Sequence, residues 1–187
     1  MANRQARLLV TVVESQAYRI LDIGPPDWPR WNSQIMALEQ ECFEPARQGT
    51  EDHLLAVLAE DGALGAIAAD EQQVVGFYLG APLELFSEKE WVRQDPELGK
   101  RTTLYAADLI ILPTRQGQGI GAALKAHQVQ RARAAGYRFI SGRYRVGLAE
   151  AMGRISRKLG ASEVLYLRDS YPDDLDPRDA VYYRINL

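Results

Sequence analysis

Residues 104–112 read LYAADLIIL, an apolar run that ends at Pro113; a glycine-rich stretch, 116–121, then leads into an alanine-rich segment closed by Gly136. Proline cannot donate to a β ladder, and closely spaced glycines weaken either kind of element. The pattern therefore predicts a strand, a tight turn and a helix from about 119 to 135. Residues 137–146 (YRFISGRYRV) form the next predicted strand. Leu148, Ala151, Met152, Ile155 and Leu159 then mark a helical stripe, with Gly160 at its C-cap. Segments 163–167 and 180–187 are the last predicted strands, joined by an acidic YPDDLDP loop.

The first half is organised by the same signals. Residues 18–23 predict a strand, stopped by the PPDWP stretch, and Trp31, Ile35, Leu38 and Cys42 share one face of a helix over 31–41. Thr50 stands as an N-cap ahead of Glu51 and Asp52, so a second helix runs to about 60. Segments 63–69 and 74–81 read as a hairpin, and 82–103, with Trp91, loses all periodicity and predicts a long loop or irregular helix. A chain of 187 residues with 47% apolar content is expected to form one domain, 1–187, that buries enough surface to need no disulfide or metal. The lone Cys42 rules out a disulfide framework and favours a reducing, cytoplasmic setting. No apolar run reaches membrane-spanning length, and the stretch Leu8 to Val13 is too short for a signal core.

The net charge of −3 conceals a division. Residues 1–114 carry 9 basic against 18 acidic side chains, whereas 115–158 carry 10 basic against the single acid Glu150. A basic segment of this kind is either a solvated helix face or a surface for a polyanion. Nucleic acid is the weaker reading, because the arginines spread over two helices and a strand without a stacking platform.

Gly117, Gly119 and Gly121 let the backbone approach a ligand, and the first amides of the following helix point outward with the positive end of its dipole behind them. This is a site for an anion, typically phosphate, unless the glycines serve only a tight turn. A Walker loop is excluded because Ala-Ala-Leu follows Gly121. A dinucleotide fingerprint lacks both its spacing and its acidic partner. The pattern Gln116-x-x-Gly119-x-Gly121, between an apolar strand ending at Pro113 and an alanine-rich helix, resembles the acyl-CoA-binding motif of the GNAT superfamily of N-acetyltransferases. The likeness extends along the whole chain. It implies an α/β (α+β) fold with a mixed, mostly antiparallel sheet of about six to seven strands flanked by about four helices.

The resemblance also implies acetyl-CoA as acyl donor and a primary amine as acceptor. In that family the loop amides hold the pyrophosphate, which carries over to Gln116, Gly117, Gln118, Gly119, Ile120, Gly121 and Ala122. The strand edge at Leu109, Ile110, Ile111 and Leu112 would pair with the pantetheine arm. Arg115, Lys125, Arg154, Arg157 and Lys158 are candidates for reaching the phosphates. An attacking amine must lose a proton and a departing thiolate must gain one. Asp108 is the candidate base, with Glu41, Glu44 and Glu84 behind it. Where many family members carry a tyrosine acid, four residues before Gly160, this chain has Ser156, and Glu150 stands where an asparagine is expected. Either water relays the proton from Ser156, another tyrosine, Tyr144 or Tyr166, supplies it, or the thiolate leaves unaided. These departures also leave open a catalytically silent acyl-CoA-binding or regulatory module. The carboxylates and aromatics of 31–47, 82–103 and 171–179 predict a cationic acceptor, small molecule or protein amine. Dimerisation is expected by family analogy alone. His127 and Cys42 are expected to pack, Trp28, Trp31 and Trp91 to pack or to wall the acceptor pocket, His53 to have no metal partner, and no metal site is expected.

Overall fold

The computed structural model describes residues 18–71, 73–171 and 175–187, so the segment Leu8 to Val13 lies outside the described residues. Among these described residues seven strands, β1 (Arg19–Ile23), β2 (Leu64–Asp70), β3 (Gln73–Pro82), β4 (Thr103–Ile111), β5 (Phe139–Arg145), β6 (Ala161–Leu167) and β7 (Ala180–Asn186), form one sheet in the order β1-β2-β3-β4-β5-β7-β6. Every neighbouring pair is antiparallel except β4 with β5. Five helices flank it: α1 (Trp28–Cys42), α2 (Glu51–Ala59), the short α3 (Glu90–Arg93), α4 (Ile120–Ala134) and α5 (Glu150–Lys158). The predicted strands and helices are all present, with ends moved by a few residues.

The PPDWP stretch does more than stop a strand. A 3₁₀ turn, Pro25–Asp27, turns the chain, and α1 begins at Trp28 rather than Trp31, with Pro29 in its first turn, where a missing N–H costs nothing. Thr50 caps α2 as expected, its hydroxyl accepting the His53 N–H at 3.2 Å. The 83–102 segment is a folded connection, not a free loop. Glu84 accepts the Gly99 and Arg101 amides at 3.0 and 2.7 Å. Asp95 accepts from Tyr182 OH at 2.5 Å and pairs with Arg184, which ties the segment to β7.

One face of the sheet packs on α1 and α2 through Trp28, Trp31, Ile35, Leu54, Phe77 and Ile110. On the other, α4 packs through Ile120 and Leu124, with Val75 and Tyr78. Two features break the regularity at the centre. The β3–β4 register runs Leu79↔Asp108 and then Gly80↔Ala106, so β4 carries an extra residue at Ala107, a bulge. The parallel β4–β5 ladder covers only Thr103–Ala106 against Phe139–Gly142. Beyond it β4 stays with β3 as far as Ile111 and β5 stays with β7 as far as Arg145. The sheet therefore forks, with the bulge just past the crotch.

Candidate active site

From Ala107 onward the β5-facing edge of β4 has no strand partner in the middle of a sheet, and such an edge offers amides and carbonyls to any extended group that enters. The fork leads from the crotch toward the turn that heads α4. There Gly117 and Gly119 hold φ of 77° and 82°, a region that favours glycine, and residues 116–119 are exposed. The Ala123 N–H is the first of α4 to bond back, to Gly119 O at 3.0 Å. The amides before it form the open positive end of a fifteen-residue helix. Gln116 ties this turn to the strand, its Nε2 donating to Ile111 O at 3.1 Å. Leu109 and Ile111 pack toward α4, whereas Ile110 and Leu112 pack toward α1. The side chain of Ile120 is buried, so only its backbone faces the turn, while Gly121 and Ala122 lie at the surface of the first helical turn. The unpaired edge and the amide cradle together fit a ligand with an anionic head and an extended amide-bearing arm.

The basic candidates divide. Arg154, Arg157 and Lys158 are exposed on α5, and Arg115 pairs with Asp70 and donates to Gln118 Oε1 at 3.0 Å. Lys125 is not at the surface: it is wholly buried, its Nζ donating to Gln128 Oε1 at 2.8 Å and Tyr183 OH at 3.0 Å. Its position on α4 faces the sheet, and the two uncharged oxygens that accept from it there make it an internal strut rather than a phosphate ligand.

On the opposite face stands Asp108, beside the bulge. Burial pushes its carboxyl up to about 6, against the pull of His53, Arg47 and Lys89. Glu39 of α1, a residue that the sequence did not single out, is 1% exposed, and burial together with the Asp108 charge pushes it up to about 7. Its Oε2 accepts the Gly49 N–H at 2.9 Å and its Oε1 has no partner among the described residues. Burial first, and the Asp108 charge second, favour the protonated form of Glu39. A carboxylate on an apolar helix face was the available signal for Glu39, but only the packing of α1 on β4 brings it to Asp108. The other acids are committed elsewhere. Glu44 pairs with Arg145 at 2.8 Å and Arg47 at 3.3 Å, Glu84 holds the 83–102 segment, and Glu41 is exposed.

Of the candidate acids, Tyr144 lies on β5 just beyond the crotch, 6% exposed. It approaches α5 so closely that a Cβ on Gly153 would stand 2.7 Å from its ring. Its hydroxyl donates to Glu163 Oε1 at 3.1 Å and accepts from Arg157 at 3.1 Å. Ser156 is buried, and its Oγ has no partner among the described residues. Tyr166 is exposed and donates to Asp179 at 2.7 Å, away from the fork. Glu150 caps the start of α5 by accepting the Gly147 N–H at 3.0 Å. His127 packs between Tyr78 OH (3.0 Å) and Asp22 (3.5 Å), as an internal histidine should.

The profile of the Acetyltransferase (GNAT) family matches residues 32–153. The chain belongs to this family. No curated protein matches it in sequence. Among solved structures it is similar to the ribosomal-protein-S18-alanine N-acetyltransferase from Escherichia coli (18% identity, 90% of this chain and 93% of that one, TM-score 0.67). It is also similar to Arabidopsis thaliana Naa50 in complex with a bisubstrate analogue, CoA-Ac-MVNAL (17% identity, 90% and 99% covered, TM-score 0.65). A third similar structure is Salmonella typhimurium yncA with its cofactor acetyl-CoA (14% identity, 91% and 94%, TM-score 0.67). At these identities the structures speak for the GNAT fold, which the forked sheet of this acetyltransferase-family chain shares. No described helix is long and apolar enough to cross a membrane.

Proposed function

We propose that this GNAT chain transfers an acetyl group directly from acetyl-CoA to a primary amine, on a small molecule or a protein. The observation that carries this reading is the fork: an open β4 edge and an amide cradle lie on one side, and the Glu39 and Asp108 carboxylates lie on the other, at the same bulge. Gln116 to Ala122 would hold the pyrophosphate through backbone amides, with Arg157 at the margin. The edge of Leu109 to Leu112 would pair with the pantetheine amides. The acceptor arrives as an ammonium ion on the α1 side, where ionised Asp108 binds it and takes its proton, leaving the neutral amine to attack. Amides at the bulge supply the oxyanion's donors. For the proton taken up by the leaving thiolate we take Tyr144 of β5, the longer side chain, over Ser156; in the resting protein its hydroxyl is held by Arg157 and by Glu163 of β6. A cytoplasmic setting accompanies this reading.

Calorimetric titration with acetyl-CoA, followed by thiol-release assays over an amine panel, tests it. Saturable binding and amine-dependent thiol release are expected, both lost in Gly119→Glu; absence of binding to the intact protein would overturn it. The Ser156 hydroxyl, unpartnered among the described residues, favours a second reading, the silent acyl-CoA-binding module. Tight binding with no thiol release on any amine would establish that one instead.

A further inference from the structure

Arg143 follows Gly142, the last β5 residue paired to β4, and so stands across the mouth of the fork from Asp108. Its guanidinium lies 3.9 Å from the centre of the Trp91 ring and 4.4 Å from that of Tyr171, so two aromatic rings hold it on the acceptor side. One of its N–H donors bonds Ser170 Oγ at 2.7 Å, and no carboxylate among the described residues pairs with it. The surroundings add positive charge. Arg47 and Arg145 also lie against Tyr171, at 5.2 and 5.0 Å, and share a single carboxylate, Glu44. A part-buried guanidinium with no carboxylate among the described residues beside it favours the arrival of an anion, and its planar fork of donors suits a planar carboxylate better than a point contact.

We infer that Arg143, framed by Trp91, Tyr171 and Ser170, is a carboxylate subsite, and that the preferred acceptor carries its reactive amine and a carboxylate on one molecule. This rests on the acetyltransferase reading and narrows its cationic acceptor to an amino acid. Asp108 would take the ammonium end and Arg143 the acid end.

The test is acetylation of glycine, β-alanine and 4-aminobutyrate, each against its amide, by the wild type, Arg143→Gln and Arg143→Lys. The amide has the less basic amine, so more of it is free base at any pH, which biases the comparison against the proposal. The wild type should prefer the best acid over its amide by about tenfold or more in kcat/KM, with one spacer length optimal. Arg143→Gln should bring that ratio to about one while leaving the amide rate within about threefold, and Arg143→Lys should restore part of the preference. An amide as good as the acid in the wild type, or an equal loss on both substrates in a folded Arg143→Gln, would overturn the subsite. Tryptophan fluorescence titrated with acetate and with acetamide is independent of turnover. A response to acetate alone, lost in Arg143→Gln and in Trp91→Phe, supports the subsite even if no amine releases thiol, in which case only the transfer reading fails. Thiol release on acids and amides alike, with no acetate response, sinks the subsite and leaves the transfer reading standing.

Discussion

On the α4 side of the fork every group proposed to hold the acyl donor, apart from Arg157, comes from one continuous stretch, the strand edge at Leu109 to Leu112 and the turn from Gln116 to Ala122, and nearly all of it is backbone. On the α1 side the groups come from across the whole chain: Glu39 from α1, Arg47 from the turn after it, Trp91 from α3, Asp108 from β4, Arg143 from β5 and Tyr171 from the tail loop. Backbone amides at a helix start will hold a phosphate whatever the neighbouring side chains, so a donor site can be written locally. Recognition of an acceptor needs charges of both signs at set positions, and those positions are available only after the sheet has formed.

The contrast is open to a graded set of tests. The largest effect belongs to Gly119→Glu, where a residue with a Cβ must adopt φ near 82° and sets a carboxylate in the cradle. Affinity for acetyl-CoA by calorimetry should fall by about 100-fold or more, and a fall below tenfold would break the claim that the backbone holds the donor. Next, Asp108→Asn should lower kcat by about 10²-fold while acetyl-CoA affinity stays within about twofold. The wild-type kcat/KM should rise with pH through about 6, as Asp108 ionises, and the variant should lack that limb. A matching loss of donor affinity would show that the two faces are not separable.

Glu39→Gln keeps the acceptor for the Gly49 N–H and removes a buried ionisation. The folded protein holds the Glu39 proton more tightly than the unfolded chain does, so the group favours folding at low pH and that advantage is lost as pH rises from about 4.5 to about 7. Denaturant titrations should show the variant gaining on the order of 2 kcal/mol relative to wild type between those limits, and parallel curves would remove Glu39 from the pair. Tyr144→Phe should reduce kcat about tenfold and Ser156→Ala less than about twofold; the reverse order would return the acid role to the serine. Smallest is Lys158→Ala, an exposed charge on α5, which should weaken acetyl-CoA binding about twofold at low salt and not at all at high salt.

The donor side was legible because proline, glycine spacing and alanine richness each act within a few residues, and the turn at 116–121 falls where the pattern placed it. The charge count was a poorer guide. It placed Lys125 with the phosphate ligands, yet α4 turns that position into the sheet, and it read the acids of 82–103 as substrate-facing, whereas Glu84 and Asp95 are taken up in holding the segment down. Counting charge gives sign and abundance but not direction. Glu39 and Arg143 escaped notice for the same reason, since nothing local distinguishes a glutamate or an arginine that will pack into the fold from one that will face water.

What the sequence determined by itself was the order of elements, the helix caps and the amide cradle, all set by hydrogen-bonding and φ preferences of near neighbours. Tertiary structure decided the forked sheet, the Glu39–Asp108 pair and the Arg143 guanidinium held by two rings. These depend on where a parallel ladder ends and on which distant side chains share a low-dielectric space, and burial and charge proximity acquire values only when residues far apart in the chain are packed together.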